Sequence, residues 1–241
     1  MALFVLADTH LSFGVKKPMD IFGSRWNDHP ERIAENWKKL VAPEDTVVIP
    51  GDISWGMSLK EAEEDLRFLH ELPGRKILSK GNHDYWWQTT AKLKNFFAEK
   101  GFTSLEILYN NALSAEGFKI CGTRGWYSEN AAPGSVDYQK IVLREAGRLQ
   151  RSLQDPTAED PSNEGGEKLV FLHFPPVFGD FVCRELVDVL HAEGVNRCYY
   201  GHMHGQYNIP RHIYFEEICF TIVAADHLSF VPYLITPEKD D

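Results

Sequence analysis

Cysteine is scarce and unpaired in this sequence. Four occur in 241 residues, at Cys121, Cys183, Cys198 and Cys219, and no C-x-x-C pair is formed. Scattered through apolar surroundings, they read as buried reduced thiols; this argues against a disulfide framework and fits the cytoplasm. Positive charge is also short, since 25 Lys and Arg stand against 35 Asp and Glu, for a net charge of −10. Such a surface repels long polyanions, so nucleic acid is disfavoured as a partner, while a small phosphorylated substrate stays open wherever a bound cation reverses the local sign. Long apolar runs are missing, and nothing can span a bilayer. The opening MALFVLAD is too short for a signal peptide, has no basic stretch before it and runs into Asp8. No membrane association is expected, and no internal repeat is visible.

What remains is an ordinary soluble composition, 43% hydrophobic and 25% charged. The length suits one domain over residues 1–241. Short apolar runs ending in polar clusters alternate with amphipathic helices. LFVLAD, TVVIPGD, KILSKGN, KLVFLHF and RCYYGH each read as a buried strand. Leu59, Ala62, Leu66 and Leu69 recur at helical spacing behind Ser58 as N-cap, with Glu61 three residues on. Val182, Leu186, Val187 and Leu190 do the same before Gly194, and Ala91–Lys100 ends at Gly101. Pro30 opens a helix from Glu31 to Leu40, and another runs from about Val136 to Leu153. SLEILYN, FKICGT and HIYFEEICFTIVAAD read as antiparallel strands joined by turns. The acidic, Pro/Gly-containing stretch from Gln154 to Glu167 reads as an exposed loop.

The polar clusters carry the chemistry. Asp8-Thr9-His10 ends the first strand, Gly51-Asp52 the second and Gly81-Asn82-His83-Asp84 the third. His173 lies on the fourth, and Gly201-His202-Met203-His204 on the fifth. Ligands of open α/β sheets gather at the carboxyl ends of strands, where these clusters would converge. Asp8, His10, Asp52, Asn82, His173, His202 and His204 offer carboxylate, imidazole and amide oxygen without cysteine, a mixture suited to Mn, Fe or Zn. Seven ligands are too many for one tetrahedral ion and suit two ions sharing a carboxylate. The one-residue spacing of Asp8/His10 and of His202/His204 places each pair on one side of an extended segment. A lone strand-end histidine is more often structural than ligating, and it is the joint occurrence of five clusters that favours a site. His29, His70, His191, His212 and His227 fall outside them and read as structural or surface residues.

The ordered set D-x-H, G-D, G-N-H-D, H and G-H-x-H resembles the calcineurin-like metallophosphoesterase superfamily, with all five motifs in order from Asp8 to His204. The resemblance implies an α/β fold, a four-layer αββα sandwich with two central mixed β-sheets flanked by helices. It implies that Asp8, His10, Asp52 and His204 hold one metal, that Asp52, Asn82, His173 and His202 hold the other, and that Asp52 bridges. Asn82 then completes a coordination sphere without adding negative charge against a phosphate. His83 meets the substrate as general acid or phosphate contact, with Asp84 accepting from its imidazole to keep it oriented and protonated. In such sites two ions, roughly 3.5–4 Å apart, clamp phosphoryl oxygens and generate a hydroxide for in-line attack.

Substrate contacts are less marked. Arg124 and Arg25 are candidate phosphate contacts, or else surface ion pairs. Tyr85, Trp86 and Trp87 either stack an aryl group or nucleobase, Trp86 being the candidate, or belong to the core; at least one is expected there. Trp55 has the same two readings. The long segment from Leu11 to Pro30 is expected to line the mouth of the site. The resemblance branches widely. GDISWGM and GNHD depart from the G-D-x-x-D-R-G and G-N-H-E of Ser/Thr protein phosphatases. DTHLSFG resembles the start of double-strand-break repair nucleases, but the acidic chain leaves no room for a DNA-capping domain. The favoured expectation is hydrolysis of a small phosphodiester or nucleotide-like substrate. The alternatives are a phosphomonoesterase, a nuclease, or a catalytically silent protein-binding scaffold of the same fold.

Overall fold

The computed structural model describes residues 1–127, 136–158 and 166–237. Leu3–Val5 (β1), Thr46–Pro50 (β2) and Arg75–Ser79 (β3) pair in parallel, as central strands buried on both faces do. Leu105–Ile107 (β4) pairs with β3 in parallel too, against the antiparallel expectation for SLEILYN. The helix before it supplies the crossover that a parallel pair needs. The other strands are Ala112–Ala115 (β5), Phe118–Thr123 (β6), Lys168–Leu172 (β7), Val177–Phe178 (β8), Phe181–Val182 (β9), Arg197–Tyr200 (β10), His212–Phe215 (β11), Ile218–Ile222 (β12) and Tyr233–Ile235 (β13). Two large mixed sheets result, ordered β13-β1-β2-β3-β4 and β11-β12-β10-β7-β6-β5, with β8 and β9 as a separate ribbon. FKICGT is mixed in its pairing: β6 runs antiparallel to β5 but parallel to β7.

The helices are His29–Leu40 (α1), Leu59–Glu71 (α2), Thr90–Lys100 (α3), Val136–Leu153 (α4) and Arg184–Ala192 (α5). Their ends follow capping chemistry. Ser58 Oγ accepts from Glu61 N at the start of α2, and Gly101 closes α3 in the left-handed region that glycine adopts without strain. Of the acidic stretch after α4, residues 159–165 lie outside the described residues, and Pro156–Ala158 forms a short 3-10 turn.

Period-two alternation sorts the second sheet into two faces. Leu169, Phe171 and Tyr199 join one core with β1–β3 and with Trp37, Leu66 and Phe97 of α1, α2 and α3. Val170, Leu172, Cys198 and Tyr200 join another with Leu149 of α4 and Leu190 of α5. The layers are therefore helix, sheet, sheet, helix. All four cysteines are free, and burial pushes the Cys121 and Cys183 thiols up to about 12. No helix among the described residues is long and apolar enough to cross a membrane. The sheets meet where Ala7 N donates to Val223 O (2.9 Å) and Ala225 N to Ala7 O (3.0 Å). That seam draws the carboxyl ends of β1, β2, β3, β7 and β10 into one cleft.

Candidate metal centre

The turns leaving β1, β2 and β10 are tight. Asp8, His10, Asp52 and His202 have φ of 60°, 43°, 50° and 67°, a region that costs a non-glycine residue about 1–3 kcal/mol. Contrary to the expectation from sequence, the one-residue spacing therefore does not act through an extended segment. β1 ends at Val5 and β10 at Tyr200, and left-handed turns aim the side chains instead. Hydrogen bonds between turns hold them there. Asp8 N donates to Gly51 O (3.0 Å), His10 N to Asp52 O (3.0 Å), His83 N to Asp52 Oδ1 (2.8 Å), and His202 N to Asp8 Oδ2 (2.9 Å). The approach leaves no space for a side chain at two glycines. A Cβ on Gly81 would lie 2.1 Å from Asp52 Oδ1, and one on Gly201 2.3 Å from Asp8 Oδ2.

Two ligand groups result. Asp8, His10, Asp52 and His204 present donor atoms all within 4.8 Å of one another, and so do Asp52, His173 and His202. Asn82 Oδ1 lies 2.6 Å from His173 Nε2 and adds a neutral oxygen to the second group. Asp52 belongs to both. Its Oδ2 is buried without a hydrogen-bond partner, 3.6 Å from His10 Nε2 and 3.5 Å from His173 Nε2. The outer ring nitrogens fix which face is free. His173 Nδ1 donates to Pro50 O (3.3 Å), leaving its Nε2 lone pair toward the cluster, and His204 Nδ1 donates to Asp226 Oδ1 (2.9 Å), so that its Nε2 faces the same way.

The electrostatics call for a cation. Burial, with Asp84 and Asp8 adding to it, pushes the Asp52 carboxyl well up, and burial raises Asp8. Among the described residues no lysine or arginine ion-pairs with either. Burial, aided by neighbouring imidazoles, holds His10 and His173 well below the usual histidine range and His202 down to about 4, so all three keep their lone pairs. Burial alone would lower His204, but Asp8 and Asp226 outweigh it and push it up to about 10. A proton there takes the place of the positive charge that buried carboxylates demand. An orphaned carboxylate oxygen amid neutral imidazole lone pairs is a donor set that fits metal ions.

His83 stands at the mouth. Its ring lies 4.5 Å from Trp55, and its Nδ1 is buried without a partner. Burial and the Lys17 ammonium lower its pKa. Asp84 does not orient it, contrary to expectation. The Asp84 carboxylate accepts from Ile53 N (2.9 Å), Gly81 N (2.8 Å) and Trp86 Nε1 (2.9 Å), and so clamps the Asp52 turn to the Gly81 turn. Trp86 is fully buried and bonded to Asp84, so it is a core residue and not a stacking platform. Trp87 is buried as well, whereas Tyr85 is exposed. Arg25 also departs from expectation. Its Nε donates to Asp226 O (2.6 Å) and Nη2 to Ser229 Oγ (2.8 Å), so it braces the chain around Asp226. Arg124 lines a separate cavity. The five histidines set aside from the sequence stay outside both ligand groups. The segment after His10 does line the mouth: Met19, Phe22 and Trp26 join Trp55, His83 and Tyr207 around a cavity of about 260 Å³. Asp226 was not legible from sequence, because it lies outside the five clusters and reaches the ligand groups through His204.

Paired mixed sheets whose facing strand ends carry an Asp/His cluster define a class, the metal-dependent phosphohydrolases. The chain belongs to the calcineurin-like phosphoesterase family, whose model matches residues 1–206. The Gene 66 protein of Mycobacterium phage L5 is 39% identical over 80 residues, which are 32% of this chain and 37% of that protein. Among solved structures, the phosphopantetheinyl hydrolase of Mycobacterium tuberculosis superposes with a TM-score of 0.52 at 14% identity, over 100% of this chain and 97% of that one. TT1561 of Thermus thermophilus gives 0.54 at 9% identity, over 97% of both chains. These two likenesses concern the fold.

Proposed function

We propose that the protein hydrolyses a small phosphodiester or nucleotide-like substrate at a dinuclear metal centre, with His83 donating the proton to the leaving group. The observation that carries this is Asp52, shared by the two ligand groups with Oδ2 buried and unpartnered. Asp8, His10 and His204 would hold one ion with it, and Asn82, His173 and His202 the other. Two ions in such a site polarise a phosphoryl oxygen and activate a water. The donors suit Mn, Fe or Zn.

The chain's own residues account for the rest. The aromatic mouth, with Trp26, Trp55 and Tyr207 facing one cavity, accommodates an aryl or nucleobase group and keeps water from the leaving side. His83 shares that cavity, within reach of a leaving oxygen there. A phosphate anion beside it favours the imidazolium and offsets the downward pull of burial and Lys17. Asp84 contributes by fixing the turn from which His83 projects.

The test is hydrolysis of bis-p-nitrophenyl phosphate by chelator-stripped protein, with and without Mn²⁺. Turnover that returns with metal supports the reading. No turnover with any added ion counts against a diesterase, and turnover of p-nitrophenyl phosphate alone would make the protein a monoesterase. His83→Ala is expected to keep its metal content but to lose at least about tenfold more rate on an alkyl ester than on a p-nitrophenyl ester, whose leaving group needs no proton. Equal losses on both would remove His83 from the acid role.

A further inference from the structure

A second cavity, of about 190 Å³, is lined by Lys80, Tyr109, Thr123, Arg124, Glu145 and Arg148. In a chain of net charge −10, three cationic side chains around so small a space are unusual. Glu145 is the only carboxylate among those lining residues, and it is already engaged. It is buried, accepts from Thr123 Oγ1 (2.7 Å) and pairs with Arg148. That pairing leaves Lys80 and Arg124, neither of which ion-pairs with a carboxylate among the described residues.

Both residues are joined to the metal centre through the chain. Lys80 directly precedes Gly81-Asn82. The Arg124 carbonyl accepts from His173 N (3.1 Å) and Phe174 N (2.9 Å). Its guanidinium lies 5.8 Å from the Phe174 ring, and that ring packs edge-on to His202 at 4.6 Å. Both cations thus sit on segments tied to Asn82 and His173, while the apolar mouth cavity lies against His10 and His204.

We infer that this cavity is a subsite for a second phosphate group of the substrate, held by Lys80 and Arg124 while the scissile phosphate sits at Asp52 and Asn82. The inference rests on the phosphohydrolase reading above and narrows it to substrates with two phosphates. A planar guanidinium fork matches phosphate oxygens, and a cation without a partner gives up no existing ion pair to bind them. At about 30 Å³ per water the space takes one phosphate with part of its hydration.

Calorimetric titration of the Mn²⁺-loaded protein with AMP, ADP and adenosine 3′,5′-bisphosphate tests this, with ³¹P spectra checking that each nucleotide stays intact. AMP supplies only one phosphate. ADP supplies an adjacent second one, and the 3′,5′-bisphosphate a distant one, so the arms also report the spacing. The expected result is that one of the two binds at least about tenfold more tightly than AMP. The preference should fall below about threefold in Arg124→Gln and survive in part in Arg124→Lys. Equal affinity for all three nucleotides, or a preference that persists in both Arg124→Gln and Lys80→Gln, overturns the subsite. Failure of the hydrolase reading is separate, because it shows as absent turnover of bis-p-nitrophenyl phosphate while the affinity ratio still decides this inference.

Discussion

At His204 one ring nitrogen faces the cluster and the other donates to Asp226, whose second oxygen accepts from Gly205 N and the Tyr207 hydroxyl. This arrangement fixes the ring's angle before any ion arrives, and keeps the proton on Nδ1 when an ion displaces the one on Nε2. An asparagine in its place can turn an NH₂ toward Nδ1 and reverse the tautomer. Asp226→Asn is therefore expected to weaken metal affinity by about 10–100-fold, read by competition with a chromophoric chelator. Unchanged affinity would confine Asp226 to bracing the turn with Arg25 and Tyr207. The residues with ligating chemistry were legible because each follows an apolar strand with a glycine, histidine or carboxylate out of place for a loop. Asp226, Asp84 and Trp86 were not, or were misread. Their roles lie in which hydrogen bond they make, and adjacency in sequence does not give that: Asp84 is next to His83 yet bonds Ile53, Gly81 and Trp86.

The strand–turn units place the ligands, and their glycines set how closely the turns approach. Gly81→Ala would put a methyl group on the Asp52 carboxylate and within 2.3 Å of Asp52 N, and backbone cannot yield as a flexible side chain can. The expected outcome is a loss of about 3 kcal/mol, seen in urea unfolding, together with reduced metal content. A variant with wild-type stability and full metal content would mean that the two turns separate easily. At this scale the helices were read well from periodicity and caps, as α4 over Val136–Leu153 illustrates. The direction of strand pairing was not. β4 has three residues and β8 and β9 two each, too few to display a period, and whether a neighbour runs parallel depends on long-range partners.

Across the whole molecule the ligand groups draw on both sheets. Asp8, Asp52 and Asn82 follow β1, β2 and β3, whereas His173, His202 and His204 follow β7 and β10. An ion bound there would tie one sheet to the other, and its binding free energy would add to the stability of the folded chain. At a free-metal concentration of about 100 times Kd the gain is about 2.7 kcal/mol per site, equivalent to roughly 5–10 °C in Tm for a chain of this size. Chelation is expected to lower Tm by that order, and re-addition of Mn²⁺ to restore it. A Tm indifferent to metal would mean that the shared core and the seam through Ala7 and Val223 hold the sheets together without help from an ion. The two-sheet arrangement was available from sequence only through the family resemblance, since alternation identifies buried strands without saying which sheet each one joins.

Trp55 stacks on His10 at a ring separation of 4.8 Å, and Trp26 stands 5.4 Å from His204. The indoles therefore make the centre its own optical probe. An ion with unpaired electrons at His10 and His204 would quench their emission, whereas closed-shell zinc in the same place would leave it bright, so ultraviolet fluorescence alone distinguishes occupancy by one kind of metal from the other.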